Sequence, residues 1–199
     1  MLIIQKDRYE KKDIQANLLN WYLYNPNNCI NWYGEAFEFC TIIGEKYNVN
    51  PIKVAGIVAA LSPQKNWPEN KKLAVTFIRT GSAGQYSVLV NKAIDILECK
   101  AIGEDLILAI HSILHGMKIS SFFMNIVSDK QYVTIDRHII SAAVGYSYGT
   151  ITDKGYKYLA QLMIDLSVDL QIQPKVFQAV IWSNFRDVNV RKFEDKVPF

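Results

Sequence analysis

The stretch ILHGMKISSFFMNIVSDKQYVTIDRHII, from Ile113 to Ile140, decides how this chain is read. Its punctuation predicts the end of one helix at Leu114, a tight turn on Gly116, a second helix opening near Lys118, a short loop, and a third helix opening at Asp136. Lys118 and Asp136 therefore stand at the mouths of consecutive helices. A lysine in a first helical turn faces the positive end of the macrodipole, at a cost of a few tenths of a kcal/mol or roughly more. Helix energetics alone do not account for Lys118, and a role beyond the helix is expected of it.

Working outward from that stretch, the same signals recur in both directions. Upstream, Asp13 is expected to cap a helix carrying Ile14, Leu18 and Trp21 that ends at Asn25-Pro26, and a second helix runs from Asn31 to about Tyr47. Asn50-Pro51 places a cap before a proline at the first helical position, and the segment that follows is apolar almost all round, which marks the centre of a bundle. After Pro63 to Pro68 a helix runs to Gly81, then come Ser87 to Leu97 and Gly103 to Leu114. Downstream of Asp136, Thr152-Asp153 caps a long helix and Gln173-Pro174 opens the last. Roughly ten helices with no alternating strand predict an all-α fold.

With 199 residues, half of them hydrophobic, the chain is long enough for one substantial core, and a single domain over 1–199 is expected. A formal net charge of +3 permits nucleic-acid binding without demanding it. Cys29, Cys40 and Cys99 are odd in number and form no C-x-x-C pair, which argues against a disulfide framework, a zinc site and an iron–sulfur cluster. His111 and His115 have an i, i+4 spacing that can bind metal but lack a third ligand, so no metal and no other cofactor is expected. The first residues form too short an apolar run for a signal peptide, and nothing later approaches a membrane span; a cytoplasmic monomer is expected.

Asp136 has an ordinary reading as a helix N-cap. The glycine turn before Lys118 presents backbone N–H groups at a helix opening, where a phosphate binds readily and a lysine adds a point charge. His138, two residues into its helix, either orients Asp136, touches phosphate or is structural. Asn66 reads first as a cap, and Trp67 either packs in the core or stacks on a base. Tyr156, Gln178, Trp182, Asn184 and Arg186 form a late polar-aromatic group that either lines a pocket or, as its spacing mainly fits, makes a buried helical face with a polar end.

The hairpin and the aspartate segment together resemble the helix-hairpin-helix DNA glycosylases. Gly116-Met117-Lys118-Ile119 is similar to their G-x-K-[VT] turn, and Thr134-Ile135-Asp136-Arg137-His138 to their aspartate segment, although Leu114-His115-Gly116 keeps only part of the usual L-P-G-x-G glycine pair. Leu61-Ser62-Pro63-Gln64 followed by Asn70-Lys71 is similar to the L-S-x-Q and N-K segment of the same superfamily, in which a glutamine enters the DNA stack beside the flipped nucleotide. The likeness covers roughly 51–145. The Trp32-Tyr33 helix, Ala60-Leu61-Ser62-Pro63, Trp67 with Asn70, and Gln178-Ala179 with Trp182 also resemble small phage-encoded proteins, which imply no activity of their own.

The resemblance implies a glycosylase-like helical bundle with its hairpin core at about 51–145, and a DNA N-glycosylase that flips a damaged or modified base and cuts its glycosidic bond. On that reading Asp136 and Lys118 are catalytic: the carboxylate stabilises an oxocarbenium-like centre or activates the nucleophile. Lys118 either attacks C1′ as a lyase nucleophile or holds a phosphate. Gln64, Lys65, Asn66, Trp67, Asn70, Lys71, His115, Gly116, Met117 and His138 are the expected DNA contacts. Two rival readings stand beside it: a non-catalytic helix-hairpin-helix DNA-binding protein, and a base- or nucleoside-modifying enzyme of phage DNA metabolism.

Overall fold

A computed structural model of the chain describes residues 10–145 and 151–194, the side chains of 189–194 excepted. Among the described residues there are ten helices and no strand, so the all-α expectation holds for them. The chain divides into two compact units, one made of residues up to Trp32 together with those from Gln131 onward, the other of Tyr33–Lys130. The stretch 51–145 thus begins in one unit and ends in the other.

The Tyr33–Lys130 unit is built around a helix with no polar face. Its elements are α2 (Trp32–Tyr47, less its first residue), α3 (Pro51–Leu61), α4 (Trp67–Thr80), α5 (Ser87–Glu98), α6 (Gly103–Leu114) and α7 (Met117–Val127). Asn50 caps α3 by accepting the Ile52 N–H at 2.9 Å, and Pro51 occupies the first turn, where its missing N–H costs nothing. Every residue from Val54 to Leu61 is buried, because a segment apolar on all sides has no face to give to water. Helices α4, α5, α6 and α7 pack around it. At Gly56 a Cβ would stand 2.7 Å from Ile110 Cγ2 and 3.1 Å from Ile96 Cγ2, so α5 and α6 close on α3 to a distance a side chain would prevent.

Helix α4 carries a capping box: Asn66 accepts the Glu69 N–H at 2.9 Å and the Glu69 carboxylate accepts the Asn66 N–H at 3.4 Å. The α6–α7 hairpin turns on His115 and Gly116, both at positive φ. The Lys92 ammonium on α5 donates to the Leu114 carbonyl, meeting one of the orphan acceptors at the end of α6, where a cation is also favoured by the dipole.

The other unit contains α1 (Lys11–Tyr24), α8 (Arg137–Val144), α9 (Asp153–Asp169) and α10 (Pro174–Glu194). Ile14 and Leu18 of α1, Ile139 and Ile140 of α8, and Phe177, Val180 and Ile181 of α10 are buried, and these three helices pack mutually. Buried Asn184 donates to the carbonyls of Trp21 at 2.8 Å and Asn25 at 3.1 Å, satisfying acceptors at the frayed end of α1. Asn17 donates to the Ala143 carbonyl at 2.9 Å, tying α1 to α8.

The opening of α1 differs from the sequence reading, while that of α7 falls beside Lys118 as expected. Helix α1 starts earlier than an Asp13 cap would have it: Glu10 holds the N-cap position without a side-chain bond, and the Asp13 N–H already reaches the Glu10 carbonyl at 2.9 Å. Helix α7 opens at Met117, which makes Lys118 its second residue. No helix among the described residues is long and apolar enough to cross a membrane.

Candidate functional site

Asp136 is reached along an extended segment that Tyr156 fixes. The Tyr156 hydroxyl accepts the Ile135 N–H at 3.1 Å and donates to the Val133 carbonyl at 3.0 Å, with Val133, Thr134 and Ile135 all buried. Asp136 then caps α8, its Oδ1 accepting the N–H groups of His138 at 2.9 Å and Ile139 at 3.0 Å. Its Oδ2 accepts the Trp182 indole N–H at 3.0 Å. An ionised carboxylate offers about four lone-pair sites. Three donors hold this one, and a site on Oδ2 is left for a water or a ligand group.

Trp182 is the hub of what surrounds that carboxylate. The Arg186 guanidinium lies 4.5 Å from its ring centroid, and His138 meets it edge-on at 6.1 Å. Trp32 is 6.3 Å away and tilted, and Phe185 packs on both His138 at 6.3 Å and Trp21 at 5.1 Å. Trp182, His138, Phe185 and Arg186 are all half-buried, as is Asp136. Asp136 is thus a fixed carboxylate bordered by aromatic side chains and one guanidinium.

The hairpin lies in the other unit. Gly116 occupies the N-cap position of α7 at φ 82 with no side-chain cap, and Lys118 is exposed one residue into the helix. His115 is exposed at φ 44, a conformation costly for a residue with a Cβ, and Met117 is half-buried. In the same unit Gln64 sits exposed at φ 62 and Lys65 is exposed beside it. Trp67 packs edge-on against Phe39 at 5.8 Å, and the Lys71 ammonium lies 5.5 Å from the Trp67 centroid and 5.6 Å from that of Phe39. Asn66 is the α4 cap, while Asn70 is 2 % exposed with its side-chain oxygen unbonded, and so sits beneath this surface.

The residues singled out in the sequence therefore fall into two groups. Gln64 to Lys71 and His115 to Lys118 belong to the Tyr33–Lys130 unit; Asp136 and His138 belong to the unit that contains α8 and α10. Within the second group the structure adds two residues to the carboxylate's surroundings that the Asp136 segment did not announce. Trp182 bonds Asp136 directly, and Arg186 packs on Trp182 one helical turn later. The i, i+4 spacing of Trp182 and Arg186 is a visible signal for their stacking; nothing local links either to Asp136. Tyr156, Gln178 and Asn184 are buried, in keeping with the helical-face reading of that late group.

Among the described residues no group of three or more His, Cys, Asp or Glu side chains is placed to hold a metal ion. All three cysteines are free; Cys29 is exposed, Cys99 half-buried and Cys40 buried, and burial pushes the Cys40 thiol up to about 12. No curated protein and no solved structure matches the chain. A family model does match, over residues 4–189, and the chain belongs to that family, DUF7178, a family of unknown function.

Proposed function

We propose that this protein is a DNA N-glycosylase of helix-hairpin-helix type, with Asp136 as its catalytic carboxylate and the Gly116–Lys118 turn as a phosphate grip. The observation that carries the reading is the Asp136 carboxylate itself, held by three N–H donors in a half-buried aromatic setting with one lone-pair site to spare. A base must leave the duplex stack before its glycosidic bond can be cut, and aromatic faces are what an extruded base stacks on. The glycosylase-like arrangement of helices belongs to the same reading, supported by the all-helical content and the α6–turn–α7 hairpin.

The chemistry follows from charge. The C1′–N bond breaks with its electron pair leaving on the base, and positive charge develops on C1′ and the ring oxygen. A preorganised carboxylate stabilises that charge without reorganising at the moment of reaction. Water attacks C1′ and loses one proton to Oδ2; the base, which left with the electron pair, takes a proton from solvent and the carboxyl returns its own to solvent, so that an abasic site and a neutral free base result. Lys118 is exposed, which suits a phosphate contact in water better than a nucleophile that must first lose its proton. The reading is therefore of a monofunctional enzyme. Incubation with a panel of modified-base duplexes, analysed with and without alkali, tests it: strand breaks that appear only after alkali are the expected result, and no break on any duplex under either condition defeats the catalytic claim.

A second reading has one observation in its favour. The three bonds to Asp136 account for it as a cap and as an anchor for α10 through Trp182, with no substrate invoked. Salt-sensitive DNA binding without excision on the same panel selects that non-catalytic reading.

A further inference from the structure

Trp182 holds two opposite charges that do not pair with each other. The Asp136 carboxylate meets the indole at its N–H edge at 3.0 Å, and the Arg186 guanidinium lies over the ring, 4.5 Å from the centroid. All three residues are half-buried and belong to the unit that contains α8 and α10. Contact with an aromatic face engages the charge of a guanidinium and leaves its five N–H donors free for acceptors in its own plane. Asp136 already accepts three N–H groups, and Asp187, the next residue along α10, accepts from Asn28 at 3.0 Å. Among the described residues no carboxylate or carbonyl takes a donor from Arg186. The anion of this couple is supplied with donors, and the cation lacks acceptors. Glycosidic cleavage separates charge in the same sense, leaving the sugar positive and the base negative.

We propose that Arg186 is a second catalytic residue, which donates to an oxygen or ring-nitrogen acceptor of the departing base and stabilises the electron pair that leaves with it. The proposal rests on the glycosylase reading of Asp136 put forward above. As the C1′–N bond breaks, its pair passes to the base and spreads onto the oxo and ring-nitrogen atoms at the base's edge, where the N–H fork of one guanidinium can bond neighbouring acceptors. Arginine keeps its proton throughout, so Arg186 acts by charge and hydrogen bonding while the proton that neutralises the base comes from solvent. The substrate class follows from the donor set. It is a base that turns acceptors towards Arg186, as the O6 and N7 edge of a guanine-type base does, and not one that turns an amino group, for which a guanidinium has no acceptor. A phosphate could take the same donors, but it would bond them equally before and during cleavage and would set affinity, not rate.

The test is single-turnover excision on the modified-base duplexes that the wild type cleaves, with duplex affinity measured alongside by fluorescence anisotropy. Arg186→Gln is expected to slow excision about ten- to a hundredfold while affinity stays within about twofold of wild type. Arg186→Met, which keeps an alkyl chain against the indole and has no donors, is expected to do the same, and it carries the decision if Arg186→Gln melts below the assay temperature. Lowering the pH from about 8 to about 6 should narrow the gap between wild type and either variant by at least about threefold, because a base protonated from solvent leaves without the charge that Arg186 answers. Affinity lost with a salt slope lower by about one, and an unchanged rate at saturating enzyme, identifies a phosphate contact and overturns the proposal. A slowing that is the same at both pH values, or wild-type excision in both variants while Asp136→Asn is inactive, also overturns it and leaves the Asp136 reading intact. Absence of excision by the wild type on every duplex overturns both.

Discussion

Substituting Asp136 by Asn is often taken as a clean removal of charge, and here it is not. An amide has one acceptor oxygen, whereas the carboxylate faces donors on both sides: two backbone N–H groups at Oδ1 and the Trp182 indole at Oδ2. If the amide oxygen stays on the cap, its NH2 group confronts the indole N–H, and that bond is lost. A hydrogen bond to a charged group contributes about 1.5–3 kcal/mol, and partial exposure of both residues places the expected loss near the lower end. Trp182→Phe removes the same bond from the other side while leaving the charge. The double variant should therefore cost about 1 kcal/mol less than the sum of the two single ones, as contacting residues couple by about 0.5–3 kcal/mol. Urea melts followed by far-UV circular dichroism measure this. Excision should separate the two variants: Asp136→Asn loses it by at least about a hundredfold, while Trp182→Phe, which keeps the charge and loses only its alignment, lowers kcat by a smaller factor of about ten. Additive stabilities, or full excision by Asp136→Asn on a substrate the wild type cleaves, refute the reasoning.

Four further outcomes are expected. Borohydride added during excision should trap no protein–DNA adduct, since only a lysine Schiff base is reducible to a stable amine; a trapped adduct lost in Lys118→Gln would restore the lyase role. Gly116→Pro should weaken duplex binding and flatten its salt dependence, because the ring deletes an N–H and cannot adopt φ 82. Gly56→Ala should destabilise by about 1–3 kcal/mol in chemical denaturation, its methyl standing 2.7 Å from Ile110 Cγ2. Cys40 has a folded pKa raised by burial to about 12 from an ordinary 9.0, so the folded state holds its proton more tightly than the unfolded one. Its contribution to stability is whole below pH 9.0 and is lost as pH rises towards about 12, by up to about 1.4 kcal/mol per pH unit, a slope that Cys40→Ala should remove.

What the sequence revealed and what it hid divide along the range of the interactions concerned. Caps at Asn50, Asn66, Asp136 and Thr152 act on N–H groups two or three residues ahead, so they are written in consecutive letters and were legible. The all-apolar run of α3 likewise announced its central burial within its own unit. The division into two units was not legible, because the chain passes from one to the other inside the first turn of α2 and again in the polar loop Ser128-Asp129-Lys130-Gln131, which reads like any other turn between helices. Nor was the partner of Asp136: Trp182 lies 46 positions away on another helix, and no periodicity encodes that pairing. Asn70 was hidden for the opposite reason, since its letter suits a surface contact while the register of α4 turns it inward.

A residue that caps a helix is not thereby excluded from catalysis, and at Asp136 the two carboxylate oxygens are engaged separately. Capping engages Oδ1 and fixes the plane of the carboxylate through two backbone donors, which move only if α8 moves. Oδ2 is then aimed by that plane, and Trp182 steadies it with a single donor whose ring is itself held against Arg186, His138 and Trp32. A carboxylate bound this way has lost its rotamer freedom before any substrate arrives, which is the property that makes electrostatic stabilisation efficient. The bond at the second oxygen also serves as an anchor for α10, so the bonding pattern alone does not separate the two roles. The discriminating quantity is therefore the chemistry at Oδ2, and Trp182→Phe removes its indole donor while keeping an aromatic ring beside Arg186, His138 and Trp32: a drop in kcat with KM and duplex affinity unchanged marks an aligned catalytic group, whereas a drop in stability with no change in kcat marks an anchor for α10.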